Sequence, residues 1–422
     1  LLASDWTVSD VAWLPPGVHA FDRLVVQDGG HLILASDPWA LNADGSLGQG
    51  VALFVDELVV EAGGHVDASG QGFEPGQGPG AAAEAILWAG GAGHGGRGAN
   101  GLGNGSPGGT TYGDPTRPRS LGSGGGNTER QAGGWGGGAV HVVAASLVRI
   151  DGTLSADGEN APWDSTGGGA GGSLWIESPL LAGSGLVSAR GGDGSGSGGG
   201  GRVAFDVDTD LFTGNGRVDL AGGQDGELPG TLGTLVLPES RSLTVGGRWA
   251  LTAGEHEFLD LALLPGDVLG AKGDPDAGPH GRGVWLRAQT LRVADGARLD
   301  ASGEGFGPGT GPGAGQPSVY APGAGSHGGA GGNSAAVGPG PVYGRRGTPL
   351  ALGSGAGTTG AGTEGWGGGA WRIHARELVL DGEVRANGTK GGSGGSLLVA
   401  ADVLSGAVFI ASIPGALHDN EV

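Results

Sequence analysis

The chain has 422 residues, 102 of them glycine, with no cysteine, no methionine and a formal net charge of −21. Glycine at about three times its usual share, without a G-X-Y period, excludes collagen, and the absence of cysteine removes disulfides, thiolate metal sites and cysteine nucleophiles. The acidic balance argues against nucleic acid or an anionic membrane surface as partner, and no long apolar run suggests direct membrane insertion.

In chain order, the opening LLASD lacks an initiator methionine, so a processed product or an excerpt of a longer secreted precursor is expected. GVHAF at 17–21 and Leu24 follow, in a stretch without glycine tracts. VALFV at 51–55 and LVV at 58–60 then lead into GHVDASG at 64–70, where apolar and polar residues alternate as in a half-buried strand. After a glycine-rich insert, VHV at 140–142 and LVRI at 147–150 lead into GTLSADG at 152–158. LWI at 174–176 with Leu180 and Leu181 leads into GLVSARG at 185–191, and VAF at 203–205 with Leu211 and Phe212 into GRVDLAG at 216–222.

The series then restarts. GEHEF at 254–258 matches 17–21, and Leu261 matches Leu24. VWL at 284–286 and LRV at 291–293 lead into LDASG at 299–303. After a second insert, WRI at 371–373 and LVL at 378–380 lead into GEVRANG at 382–388, and a frayed GAVFI closes the series at 406–410. AGHGGRG around His94 recurs as GSHGGAG around His327, and GWGGGA at 134–139 recurs at 365–370. Such repetition marks a tandem duplication. The first copy spans 1–223, with N-terminal coils or a cap, an insert at about 70–138 and coils at 139–223. The second spans 224–422, with coils or a cap at 224–283, an insert at about 303–369 and terminal coils at 370–422.

Three short strands separated by turns, repeated in fixed order, predict stacked coils that share one core. No stretch keeps a helical period, and interior glycine costs a helix about 1 kcal/mol per position. The expected fold is all-β: an internally duplicated parallel β-solenoid (β-helix-like) with long ordered glycine-rich excursions. An antiparallel sandwich or barrel is the alternative. The inserts repeat the order HGG, Tyr-Gly (Tyr112, Tyr343), LGSG (121–124, 352–355) and GWGGGA, which a flexible linker would not need. Extended polyglycine-like segments lying side by side are expected there.

The phrases GGAGGSLWI at 168–176 and LGSGGG at 121–126 resemble those of glycine-rich β-solenoid regions in very large bacterial surface and secreted, adhesin-like proteins. That resemblance implies surface display without implying one activity, and it carries over no catalytic residue. Glycine-rich inserts of some receptor ectodomains are a looser likeness.

Candidate chemistry is sparse. His94 and His327 have no second histidine at i+2 or i+4, so they read as landmarks that bond neighbouring backbone rather than as metal ligands. Trp135 and Trp366 could stack on sugars of a surface glycan, but beside three glycines they also fill gaps between backbones. The middle position of the strand frame reads Asp67, Ser155, Ser188, Asp219, Asp300 and Arg385, a mixture and not an acidic ladder for Ca²⁺ or glycosidic chemistry. Asp151 and Asp381 precede a turn glycine, where aspartate is ordinary turn chemistry. No catalytic, cofactor or metal residue is assigned, and Ca²⁺ has no motif behind it. The expected role is an extracellular structural or adhesive protein: a stalk, fibre or surface-layer component that assembles end to end with its own kind. A β-helix polysaccharide lyase or glycoside hydrolase, or a glycan-binding module, is the runner-up.

Overall fold

The computed structural model describes residues 4–42, 47–103, 105–212, 216–224, 229–237, 241–334, 337–345, 347–359, 365–407 and 409–415, with 241–245 as backbone alone. Val408 of the closing repeat, and 225–228 and 238–240 near the expected copy boundary, lie outside the described residues. The chain divides into two compact units, Leu1–Pro238 with Gly246–Trp249, and Glu239–Val245 with Ala250–Val422.

Unit 1 contains five long strands, Gly17–Val26, Val51–Val60, Ala139–Ile150, Ser173–Ala182 and Arg202–Asp210, which pair in parallel in that order. Short strands alternate with them: His31–Leu34, His65–Asp67, Thr153–Ser155, Leu186–Ser188 and Arg217–Asp219, also parallel in order. Val66, Leu154, Val187 and Val218 fall into one register row. All four are buried, as are Leu58, Val148, Leu174 and Leu181 on the long strands. Each such aliphatic side chain gains about 1.5–3 kcal/mol on burial. Asp37–Leu41 and Leu47–Gln49 form a separate antiparallel pair.

The all-β class and parallel pairing hold, but the expected solenoid of stacked coils is corrected. Among the described residues the strands form a nearly closed, barrel-like parallel sheet of 14 strands. The error has a local cause. Asp56 and Glu57 read as a turn between two short strands, yet Val51–Val60 is one continuous strand. Where a corner was expected, the ladder shifts register between Val55 and Glu57, and again between Glu177 and Leu181 on the next strand pair. An irregularity of this kind bends a strand and raises its twist without ending it, so the wall curls instead of breaking into separate faces.

Unit 2 has its own five-stranded parallel ladder: Arg241–Val245, Gly254–Leu263, Val284–Val293, Ala370–Leu380 and Ser396–Ser405. The short strands Val268–Ala271, Arg298–Asp300, Glu383–Arg385 and Phe409–Ala411 pair in parallel beside it. Leu286, Leu291, Trp371, Ile373 and Leu378 fill its interior. A buried ion pair, Lys272 Nζ to Glu304 Oε1 at 2.9 Å, links the short-strand ladder to the start of the second insert.

Both inserts hold a defined backbone. Consecutive residues of 121–126 bond different neighbours: Gly122 N donates to Gly137 O, Gly124 N to Gln77 O, Gly125 N to Gly134 O and Gly126 N to Gly90 O. None of these four has a positive φ. Bonds that radiate in several directions from an extended segment are the pattern of a three-residue-per-turn helix with no internal hydrogen bonds. The second insert repeats the scheme. Gly72 N→Gly136 O, Phe73 N→Gly122 O, Gly137 N→Ala170 O and Ala170 N→Ser123 O reappear as Gly305 N→Gly367 O, Phe306 N→Gly353 O, Gly368 N→Ser393 O and Ser393 N→Ser354 O. One apolar anchor secures each: Phe73, Leu121 and Ala139 in the first, Phe306, Leu352 and Ala370 in the second.

Two matched substitutions test this packing. A β-carbon on Gly136 would lie 1.9 Å from Gly122 O, and one on Gly367 1.9 Å from Gly353 O. Gly136→Val and Gly367→Val should each destabilise by about 2 kcal/mol or more, to similar extents. Chemical denaturation reads the effect, and two melts indistinguishable from the parent would contradict the packing. Leu174, fully buried, should tolerate aspartate no better: Leu174→Asp leaves an unpaired charge in the core and should abolish cooperative unfolding of unit 1.

Candidate functional site

The repeated landmarks of each insert assemble into one histidine–tyrosine–serine cluster per unit. In unit 1 the His94 ring is fully buried, and its Nδ1 lies 2.7 Å from Gly171 O. The Tyr112 ring tilts against it at 4.7 Å between centroids. Tyr112 donates its hydroxyl hydrogen to Leu121 O and accepts one from Ser123 Oγ at 2.9 Å, while Ser123 Oγ accepts Gly80 N. Ser173, at the head of its strand, donates to Ser120 O at 2.6 Å. Each side chain thus ties one glycine segment to another.

Arg202 closes the cluster. It enters from the first position of its strand, Nε donating to Tyr112 O at 2.8 Å and Nη1 to Thr234 Oγ1 at 3.0 Å. Burial draws the guanidinium down to about 10. Burial, and then the Arg202 charge, hold His94 neutral, down to about 3. Burial also raises the Tyr112 phenol well above its ordinary range. With Nδ1 donating to a carbonyl, the neutral ring leaves Nε2 without a hydrogen-bond partner. All three groups are pushed toward their neutral forms, His94 and Arg202 buried and Tyr112 partly so, which suits them to holding backbone rather than to proton transfer.

Unit 2 repeats the arrangement. His327 Nδ1 lies 3.0 Å from Gly394 O, Tyr343 tilts against it at 4.8 Å, and Tyr343 donates to Leu352 O while Ser354 Oγ donates to it at 2.9 Å. Ser396 donates to Ala351 O at 2.7 Å, as Ser173 does to Ser120 O. Burial lowers His327 below its ordinary value and pushes Tyr343 up to about 12. His280 stacks on the outer face of Tyr343 at 5.7 Å. Beside His327 lies a groove of about 430 Å³.

The remaining candidates are placed separately. Trp135 is 38% exposed, and its backbone carbonyl accepts Glu159 N. Trp366 is half-buried, its ring close over Gly307. The mixed middle column does stack in register, Asp67 beside Ser155, Ser155 beside Ser188, Ser188 beside Asp219. Burial raises the Asp67 carboxyl, but hydrogen bonds from Ser69, Ser155 and His31 outweigh it and keep Asp67 below its ordinary value, while Asp219 lies 3.8 Å from Arg190 Nε. Among the described residues no group of three or more His, Cys, Asp or Glu side chains is arranged to hold a metal ion.

Sequence reasoning missed two features. Arg202 was invisible because its carbonyl partners lie 90 and 108 residues away. A cross-strand stack on unit 1 was also missed: His141 lies flat on Trp175 at 4.0 Å and contacts Glu177 at 2.5 Å, with the Arg119 guanidinium 4.7 Å from the indole centroid. Matching positions within successive long strands, His141 opposite Trp175, are the signal that could have found it. No family model, curated protein or solved structure matches the chain.

The buried histidines give stability a pH dependence of known sign. Unfolded His94 protonates near its ordinary 6.5, while the folded ring stays neutral down to about 3. Its contribution is complete above pH 6.5 and declines as the pH falls through that window, by up to about 1.4 kcal/mol per pH unit. His327 acts in the same direction. The double variant His94→Asn, His327→Asn, which keeps a donor near each Nδ1, should show a flatter stability profile between pH 6.5 and 4.5. Equal slopes in variant and parent would refute the assignment.

Proposed function

We propose that this chain is a rigid structural or adhesive module of an extracellular surface, a stalk, fibre or surface-layer element. The observation that carries this reading is the set of backbone bonds that recurs in the two inserts, among them Gly136 N→Phe73 O and Gly367 N→Phe306 O. Such a network spends glycine on backbone contact, and its histidines, tyrosines and serines on holding segments together. The result is a stiff body whose glycine segments are bonded to one another through their peptide groups. The resemblance of its glycine phrases to those of bacterial surface proteins supports the extracellular setting and assembly with like chains. The runner-up, a polysaccharide-degrading enzyme, draws little from the register column, where Ser155 and Ser188 separate Asp67 from Asp219 and Ser155 Oγ bonds Asp67 Oδ1 at 2.7 Å.

One pair of assays tests the reading. Under native conditions a broad-specificity protease should leave 90–103 and 121–138 of unit 1 intact, because protected backbone bonds must open before cleavage. In parallel, soluble acidic and neutral polysaccharides incubated with the chain should gain no reducing ends and no unsaturated sugar. Catalytic turnover of any of them would replace the structural reading with the enzymatic one.

A further inference from the structure

In unit 1 the glycine segments 133–138 and 165–172 each run into a long strand, so their first residues mark the end of the insert away from the sheet. The segment 85–92 lies in step with 165–172, Ala89 N donating to Ser165 O and Ala92 N to Gly168 O, both at 3.0 Å. Its start is held by Ala85 N, which donates to Asn127 O at 3.0 Å. Between these anchors the chain bends, and Ile86 and Leu87 stand 77% and 66% exposed with an exposed Trp88 after them. Trp163 is exposed in the turn just before Ser165. A turn of this kind needs no large apolar side chain, and the same insert buries Ala89 and Leu121 completely.

Unit 2 repeats the tip. Ser318 N donates to Thr358 O at 3.0 Å, as Ala85 N does to Asn127 O, and the chain bends at Val319 and Tyr320, which are 75% and 91% exposed. Both pairs stand at the same distance before the buried histidine, His94 or His327. What the two copies retain differs with position. Contacts that need exact geometry keep their residue: His94 and His327, Tyr112 and Tyr343, Ser123 and Ser354. The tip keeps only size, apolarity and exposure, Ile-Leu-Trp in one copy against Val-Tyr-Ala in the other. It also keeps charge away: no Asp, Glu, Lys or Arg lies between Glu84 and Arg97, or between Glu304 and Arg345.

We propose that the tips at 86–88 and 319–320 insert shallowly into a zwitterionic lipid surface without spanning it. Exposed apolar clusters mark either a protein partner or a membrane, and the difference between the copies selects the second. A protein or a sugar is recognised by shape and would demand the same side chains in both tips. A bilayer rewards apolar area alone, and so accepts Ile-Leu in one and Val-Tyr in the other. Trp88, Trp163 and Tyr320 are the ring types that settle at the headgroup level. The surface is zwitterionic because a chain of net charge −21 is repelled by an anionic leaflet. The inference deepens the adhesive reading above, on which it rests for its extracellular setting, by naming what is adhered to. Its measurement stands alone: catalysis on a polysaccharide would end that reading without touching this one.

The probe is a phosphatidylcholine vesicle, sedimented with the full chain. The parent should bind, and replacing part of the lipid with phosphatidylserine should weaken binding. Ile86→Ser and Leu87→Ser combined with Val319→Ser and Tyr320→Ser should lower the partition coefficient about tenfold or more, and either pair alone should give a smaller loss. Melting temperatures should match the parent's, since the replaced side chains face solvent. In the chain whose first tip carries serines, Val319→Ile with Tyr320→Leu should keep the remaining binding, which a shaped site would not allow. Because the chain has no cysteine, Leu87→Cys and Tyr320→Cys each give a unique position for a polarity-sensitive fluorophore. Its emission should shift to the blue on vesicles, whereas a label at Asp206→Cys, exposed on a long strand, should not respond. Absence of vesicle binding, preference for the anionic vesicles, or binding unchanged by the four serines would overturn the proposal. So would a soluble sugar or a second copy of the chain held by the same tips while vesicles are ignored.

Discussion

Close approach of backbone to backbone is the constraint on which the rest of this protein depends. Along both inserts an amide of one segment meets a carbonyl of the next where even a methyl group would collide: the β-carbon position of Gly169 is 1.9 Å from Trp135 O, and that of Gly392 is 2.0 Å from Trp366 O. Apolar side chains cannot supply cohesion between surfaces that carry none. The backbone's own donors and acceptors do so, at a net value of about 1 kcal/mol per bond, and they must be numerous to offset the large conformational entropy that glycine loses on ordering. The few side chains present therefore have structural weight out of proportion to their number. Phe73 and Leu121 anchor the first insert, and Tyr112, Ser123 and His94 each join segments that would otherwise meet only through peptide groups.

The inserts and the strand ladders are one construction in each unit. Glycines 137, 171 and 201 bond Ala170, Gly199 and Ala189 just before strands Ala139–Ile150, Ser173–Ala182 and Arg202–Asp210 begin. The same segment thus leaves a glycine layer, sheds its close contacts and enters a sheet whose interior is lined by Val142, Ile176 and Phe205. Two packing regimes alternate along the chain: spacing set by peptide groups in one, by aliphatic side chains in the other.

Much of this was legible in the sequence, and the illegible parts have physical reasons. The frames at 64–70, 152–158, 185–191 and 216–222 locate the short strands His65–Asp67, Thr153–Ser155, Leu186–Ser188 and Arg217–Asp219, because alternation is a local property. The duplication and its landmarks were legible because Tyr112 and Tyr343 keep their order relative to His94 and His327. The curvature of the wall was not. It is decided by register shifts at Val55/Glu57 and Glu177/Leu181, and the polar pair Asp56-Glu57 looks the same whether the chain turns there or merely bends. Arg202 likewise has no local signal: an arginine heading an apolar strand gains meaning only when carbonyls from a distant insert converge on it.

The span of the contacts in the first insert also governs how the chain can reach its fold. Ala99 N bonds Ser197 O and Thr231 N bonds Arg97 O, so a segment complete by residue 138 finds its partners only after a further stretch of chain has been synthesised. Pairings this distant in sequence carry loop-closure entropy that must be overcome before they return any enthalpy, which makes folding slow. At ribosomal rates of about 5–20 residues per second the first insert waits for seconds as uncovered peptide groups, the state most open to wrong association. A nascent chain of this design is therefore expected to be more dependent on chaperone shielding than the finished protein's stability would suggest.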